Sequence, residues 1–118
     1  MNIQIQTINL DLTSAIKDFV ESKFSTLNRV VSDQTVLCNV DLERTTNHHK
    51  QGEVYKVSVR IKTAEELYHI DTTQEDLYAA IDIAKDDIER NIVNNTKKKR
   101  SIFRRTASRF KKLLQRQS

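Results

Sequence analysis

Apolar and polar residues alternate in four separate stretches of the chain, and a period of two is typical of strands with one buried face. In the clearest stretch, Glu53–Lys62, every second residue from Tyr55 onward is apolar and the residues between are polar or basic. The same alternation occurs in Asn2–Gln6, Gln34–Arg44 and Leu67–Thr72. The pattern predicts four strands that each turn one face toward a core.

Two other stretches carry apolar residues three and four positions apart, which places them on one side of a helix. These stretches are 12–29 and about 74–95. Their apolar positions are Ile16, Phe19, Val20, Phe24 and Leu27 in the first, and Leu77, Ile81, Ala84, Ile88 and Ile92 in the second. The candidate N-caps are Asp11 or Thr13 for the first helix and Thr72 or Thr73 for the second.

The predicted order of elements is therefore β-α-β-β-β-α. The first β-α-β unit needs a crossover, so its strands would make the single parallel contact, while strands two to four form an antiparallel meander. Each strand has one apolar face and each helix one apolar stripe. A two-layer sandwich with both helices on one face of the sheet buries all of them. We expect an α+β fold with a four-stranded mixed sheet.

Composition argues against several functional classes. A chain of 118 residues with seven Phe and Tyr and no Trp leaves little room for a large enclosed pocket. Gly52 is the only glycine, whereas phosphate-binding loops need several. Cys38 lies on the same face of its predicted strand as Val36, Val40 and Leu42, and it is the only Cys of the chain. We therefore interpret it as a core residue. The adjacent His48 and His49 fall in a polar loop and are expected to be solvated rather than metal-bound.

These observations predict no enzymatic activity, no cofactor, no metal and no small-molecule substrate. The first ten residues do not resemble a signal peptide, and no stretch approaches the roughly 18 apolar residues of a membrane span. We therefore expect a cytoplasmic protein with no membrane-spanning segment.

Charge is distributed unevenly along the chain. Residues 1–96 carry ten Lys and Arg against 16 Asp and Glu, a net charge of −6, whereas residues 97–118 carry ten Lys and Arg and no acid. We interpret 1–96 as the α+β domain and 97–118 as a basic tail that is disordered or becomes helical on binding. A tail of this charge is typical of proteins that bind a polyanion, either nucleic acid or an anionic membrane surface.

Two segments resemble a known family. The run DLYAAIDIA at Asp76–Ala84, continued by KDDIERNI, and the opening NIQIQTINLDLTSAIKDFVESKF at Asn2–Phe24 are similar to the ribosome hibernation promoting factors, which include the ribosome-associated inhibitor A proteins. The similarity covers roughly residues 1–96 and agrees with the predicted element order. Because only a basic tail follows the second helix, the chain resembles the short form of the family.

The resemblance implies a non-enzymatic factor that binds the small ribosomal subunit and its rRNA. It would occupy the decoding channel, overlap the positions of mRNA and of the A- and P-site tRNAs, and keep idle ribosomes inactive. We expect a monomer away from the ribosome. Two alternatives stay open from the residues alone: a basic-tailed reader of double-stranded RNA and a peripheral protein of anionic membrane surfaces.

The candidate rRNA-binding residues are all basic. In the family, basic side chains on the exposed sides of the two helices contact RNA, and by position Lys23 and Arg90 match two of them. The helices further contribute Lys17 and Lys85. The remaining candidates lie in the tail and would neutralise phosphates: Lys97, Lys98, Lys99, Arg100, Arg104, Arg105 and Arg109.

Overall fold

The computed structural model describes residues 1–31, 36–46 and 52–116, and it confirms the predicted α+β fold. The loop that holds His48 and His49 lies outside the described residues. Four strands and two helices follow one another in the expected order, with a short 3-10 helix after α1. Their bounds are β1 Asn2–Ile8, α1 Ser14–Ser25, 3-10 helix Thr26–Arg29, β2 Leu37–Thr46, β3 Glu53–Lys62, β4 Leu67–Gln74 and α2 Leu77–Arg116.

The strands form one sheet in the order β1-β2-β3-β4. As predicted, β1 and β2 are parallel, with Ile5 opposite Val40, and the other two pairings are antiparallel. Both helices pack on the same face of this sheet. The register aligns the apolar members of neighbouring strands on the helix side, since Val40, Val59 and Ile70 lie in one row. Strand alternation and pairing together therefore produce one continuous apolar face.

The core lies between that face and the two helical stripes. Phe24, Leu27 and Ile88 are fully buried there, and Cys38 is buried beside them as predicted. Burial raises the pKa of the Cys38 thiol to about 12, because the thiolate would be poorly solvated among apolar side chains. The thiol therefore stays protonated at neutral pH and unreactive.

Side-chain caps begin both helices. Thr13 is the N-cap of α1, as predicted, and its hydroxyl accepts a hydrogen bond from the Ile16 amide at 3.2 Å. At the start of α2 the sequence prediction was wrong, because Thr72 and Thr73 belong to β4. The Asp76 carboxylate instead accepts from the Ala79 amide at 3.3 Å. A carboxylate at this position also interacts favourably with the positive end of the helix dipole.

The second helix is longer than the apolar spacing predicts. The core-facing stripe ends near Asn95, whereas α2 continues to Arg116 and reaches 40 residues, about 60 Å at 1.5 Å per residue. Residues 97–116 contain no glycine or proline and many Lys, Arg and Leu, which favour helix. We call residues 97–116 the extension and residues 1–96 the body. That residues 97–118 act as a separate unit that orders on binding stays a prediction.

Candidate nucleic-acid interface

Three of the four candidate cations on the body are held by carboxylates. The Lys23 ammonium lies 3.0 Å from an Asp82 carboxylate oxygen, which joins α1 to α2. The same ammonium lies 5.5 Å from the centre of the Phe19 ring, whose edge-to-face contact with Tyr78 measures 4.9 Å between ring centres. Lys23 therefore contributes to packing between the helices as well as to charge.

Lys85 and Arg90 are paired within α2. The Lys85 side chain is only 11% exposed, and its ammonium lies 2.7 Å from a Glu89 oxygen and 3.5 Å from Asp86. The hydrogen bond to Glu89 raises the pKa of Lys85, so the charge persists but is already compensated. Arg90 lies 3.4 Å from Asp87. The pairs Lys85–Glu89 and Arg90–Asp87 are four and three residues apart, which is the spacing of ion pairs on a helix surface. These two pairs could therefore be inferred from the sequence.

Lys17 differs from the other three. It is exposed on α1 and, within residues 1–31, 36–46 and 52–116, makes no ion pair. It is thus the one candidate on the body whose charge is free of a local carboxylate in the described part of the chain. A single exposed cation makes a weak interface for a polyanion, because each neutralised phosphate contributes separately to affinity.

The cations of the extension, unlike most of those on the body, are exposed and mostly without a carboxylate partner in the described structure. All of its candidate Lys and Arg residues are exposed, and Lys99 alone forms an ion pair within the described structure. The exposed cations fall into two rows at helical spacing, with steps of three, four and seven residues. The near row is Lys97, Arg100, Arg104 and Lys111, and the far row is Lys98, Arg105, Arg109 and Lys112.

An apolar stripe lies beside the near row, on the part of the helix surface that neither row occupies. Its members are exposed although they continue the side of α2 that faces the core farther back, because the helix has by then passed the end of the sheet. Exposure ranges from 55% at Ile102 to 74% at Phe103, with Phe110 and Leu114 between. In the sequence, Phe103, Ala107, Phe110 and Leu114 recur at steps of four, three and four residues, which is the spacing of one side of a helix. An uncovered stripe next to a row of cations is suited to a partner that offers both anions and flat apolar groups.

One contact that the sequence did not reveal anchors the base of the extension. The Lys99 ammonium lies 2.6 Å from a Glu66 carboxylate oxygen and 3.7 Å from Glu65 in the β3–β4 turn. One turn earlier, the Asn95 amide donates to the Tyr68 hydroxyl at 2.8 Å. We call these contacts the latch. They use Lys99, a candidate rRNA ligand, to fix where α2 leaves the sheet.

The latch should depend on the charge of Glu66. The hydrogen bond from Lys99 lowers the pKa of Glu66 below its ordinary 4.5, so the contact is complete above that pH and is lost as the pH falls through the lowered value. We expect Glu66→Gln at neutral pH to accelerate hydrogen exchange of the α2 amides around Lys99 several-fold, because a helix segment that loses its tertiary contacts opens more often.

The matched control is Glu65→Gln, whose carboxylate lies farther from Lys99. It should change exchange much less than Glu66→Gln. Equal protection in both variants and in the parent protein would show that the latch does not hold the extension. Acidification of the parent protein through the lowered Glu66 pKa should reproduce the Glu66→Gln pattern at these amides, after correction for the slower intrinsic exchange in acid.

Other kinds of site have little support. Among the described residues, no group of three or more His, Cys, Asp or Glu is arranged to hold a metal ion. No helix in the described part of the chain has the length and apolarity needed to cross a membrane. One surface cleft of about 620 Å³ is open and lined mostly by polar residues from the β1–α1 connection, the end of β2 and the start of β3: Asn9, Leu10, Asp11, Arg44, Thr46 and Glu53.

Comparison with known proteins defines the class to which this chain belongs. Residues 3–100 match the model of the family described as sigma 54 modulation protein / S30EA ribosomal protein. The match covers most of the chain and includes both segments that suggested the resemblance except Asn2. The chain belongs to this family.

Two relatives carry more specific names. The chain is 32% identical over 108 residues to the ribosome hibernation promotion factor of Bacillus subtilis (strain 168), covering 92% of this chain and 55% of that protein. It is 31% identical over 98 residues to the ribosome hibernation promoting factor of Azotobacter vinelandii, covering 83% of this chain and 85% of that protein. The chain thus spans about half the length of the first relative and most of the second. Neither name is that of an enzyme.

Solved structures share the fold. The N-terminal domain of Thermus thermophilus Protein Y superposes with a TM-score of 0.66 at 30% identity, covering 78% of this chain and 96% of that one. A ribosomal subunit interface protein from Coxiella burnetii superposes with a TM-score of 0.62, covering 81% of this chain and 98% of that one. At 15% identity, the second similarity concerns the fold alone.

Proposed function

We propose that this protein is a ribosome-associated hibernation factor. It binds the small ribosomal subunit in the decoding channel, overlaps the positions of mRNA and of the A- and P-site tRNAs, and keeps idle ribosomes inactive. Membership of the family supports the ribosome as partner. The observation that carries the proposal is the extension, where exposed cations without local carboxylates form two rows beside a body of net charge −6.

The two parts of the chain have different tasks in this proposal. The body supplies shape, since most of its candidate cations are already compensated by carboxylates such as Asp82 and Glu89. The extension supplies long-range attraction to rRNA phosphates, and each phosphate contact releases counterions. Phe103 and Phe110 stack on unpaired bases or enter a groove of a ribosomal protein, which covers the exposed stripe.

The protein acts in the cytoplasm, where ribosomes are found, and it is a monomer away from them. Two extensions that paired through their apolar stripes would bring their cationic rows together, and like charges at such distances repel each other. Chemistry is not part of the proposed role, which requires only occupancy of the channel.

A binding experiment tests the location. The protein should pellet with purified small subunits at physiological salt and much less with large subunits. Filling the channel beforehand with mRNA and A- and P-site tRNAs should reduce binding more than about tenfold, because a saturating competitor must first leave. Equal binding to both subunits, or to filled and empty channels, would contradict the proposal.

The exposed apolar stripe favours one other function, attachment to an anionic membrane surface. A basic amphipathic helix lies in the interface of such a membrane with its apolar face toward the acyl chains. Vesicles of anionic phospholipid and naked duplex RNA therefore belong in the same experiment. Binding to vesicles without binding to small subunits would identify the membrane, rather than the ribosome, as the partner. Selective binding to the duplex RNA would favour a double-stranded RNA reader.

A further inference from the structure

A small cationic cleft lies where the 3-10 helix packs against the middle of α2. It has a volume of about 220 Å³ and is lined by Arg29, Val30, Val93, Thr96, Lys97 and Arg100. The lining thus combines three exposed cations with two half-buried valines, Val30 and Val93, which we call the floor. The sequence suggested Lys97 and Arg100 as RNA ligands but not Arg29, because Arg29 is about 70 residues away from them along the chain and meets them only in the fold.

Arg29 is oriented by two neighbouring groups and still has N–H donors that are not used in these contacts. Its Nε donates to the Thr26 carbonyl at 3.2 Å, and one terminal nitrogen lies 3.7 Å from a Glu89 oxygen. The side chain is still 73% exposed, so further N–H groups face solvent. A guanidinium held in this way presents its remaining donors to an anion at little additional entropic cost.

The shape of the cleft limits what it can accept. Its volume falls below the roughly 300–1,000 Å³ of pockets that enclose a complete small ligand. It therefore suits part of a chain whose remainder lies outside. Val30 and Val93 are half-buried and offer an apolar surface to a base or a ribose, and the three cations at the rim offer charge to a phosphate.

The cleft continues into the near row of the extension. Lys97 and Arg100 belong to both, and Arg104 follows Arg100 at a spacing of four residues, which places it on the same side of the helix. A polyanion that enters the cleft can thus meet further cations without turning. This continuity favours a polymer that repeats its negative charge. The two valines of the cleft favour a nucleic-acid strand over an acidic peptide, because a base has a flat apolar face and a Glu side chain has none.

We propose that the cleft of Arg29, Lys97 and Arg100 over Val30 and Val93 binds one unstacked nucleotide of single-stranded RNA and directs the following phosphates along the near row. The base must leave its stack to reach the valine floor, so a duplex cannot use the cleft. The inference rests on the proposed function, since on the ribosome the strand would belong to rRNA. It adds Arg29 to the candidate ligands and sets the register of the protein on the RNA.

The test compares two variants that lose the same charge. The cleft variant carries Arg29→Gln, Lys97→Gln and Arg100→Gln, and the control variant carries Lys98→Gln, Arg105→Gln and Arg109→Gln from the far row. The probe is a single-stranded RNA dodecamer containing one photoreactive 4-thiouridine. The cleft variant should bind the dodecamer at least about tenfold more weakly than the control variant does. The slope of log affinity against log salt should decrease by a similar amount in both variants, because both lose three charges.

The floor is tested separately. Val93→Ala should weaken binding of the dodecamer about three-fold without changing its salt dependence, since no charge is removed. Photocrosslinking should join 4-thiouridine to residues of the 3-10 helix and the middle of α2. Equal loss in the two charge variants, or crosslinks spread evenly over the extension, would overturn the inference. Displacement of the RNA by an equally charged glutamate peptide at similar concentration would show that the cleft recognises anions in general, and would overturn it too.

The two proposals can fail separately. If the parent protein does not bind small subunits, the proposed function fails, whether or not the protein binds the RNA dodecamer. If the parent protein binds small subunits and the two charge variants lose that binding equally, the cleft fails as a nucleotide site and the proposed function stands. Because every charge removed in the two triple variants is exposed, unchanged thermal unfolding should accompany both.

Discussion

Replacing five extension cations by glutamine should weaken association with small subunits about 100-fold at physiological salt. The variant carries Arg104→Gln, Arg105→Gln, Arg109→Gln, Lys111→Gln and Lys112→Gln. All five side chains are exposed, and within the described residues none has a carboxylate partner. If each contacts one phosphate, the slope of log affinity against log salt should fall by about 3.5 to 4.5. Glutamine favours helix almost as well as Lys and Arg, so the helix itself should persist.

The matched control removes the same charge from the body. It replaces five cations that lie mainly on the sheet and on α1: Lys17, Arg44, Lys56, Arg60 and Lys62. Arg60 is already 3.5 Å from Asp41, and Arg44 is 4.0 Å from Glu53. We expect this control to weaken binding less than about tenfold, because two of the five cations are already paired and all five are scattered over a body of net charge −6 rather than gathered in rows. Similar losses in both variants would mean that net charge, rather than the extension, drives association.

The largest effect on stability should come from the core beneath the helices. Phe24 is fully buried, and Phe24→Ala should lower the free energy of unfolding by about 3–5 kcal/mol, through lost apolar burial and the cavity left behind. Small domains have only about 5–15 kcal/mol in total, so this change should reduce the urea midpoint sharply. The transition can be followed by near-UV circular dichroism of the tyrosines, which reports on the body.

Phe103→Ala is the control for that measurement. The same side chain is removed, but Phe103 is 74% exposed on the extension, so the free energy of unfolding should change by less than about 0.5 kcal/mol. Equal destabilisation by the two substitutions would indicate that the extension folds back on the body in solution. A negligible effect of Phe24→Ala would contradict the two-layer core.

The sequence predicted the elements well because each strand and helix carries its own periodic signal. The alternation in Glu53–Lys62 and the helical spacing from Leu77 to Ile92 are local properties, and the structure has strand and helix at those positions. The parallel pairing of β1 with β2 also followed from the need for a crossover through α1. The main differences are the cap of α2, the 3-10 helix at Thr26–Arg29 and the continuation of α2 past Asn95. A long helix can proceed without core contacts where its residues favour helix.

The candidate site was less predictable. Inside α2, the pairs of Lys85 with Glu89 and of Arg90 with Asp87 have recognisable spacing. The contacts of Lys23 with Asp82 and of Lys99 with Glu66 instead join distant parts of the chain. No periodic signal encodes such pairs, because they depend on how the helices lie on the sheet. The sequence therefore marked the cations on the body as candidates without showing that carboxylates had already compensated them.

The linear order of residues alone is enough to specify four strands, two amphipathic helices and the concentration of positive charge after residue 96. These features depend on local periodicity and composition, which need no long-range contact. Packing of the helices on the sheet then determined which charges are free. It joined Lys23 to Asp82, tied Lys99 to the β3–β4 turn, and brought Arg29 beside Lys97 and Arg100. Electrostatic interactions act through space, so the surface available to RNA could be read only after the chain had folded.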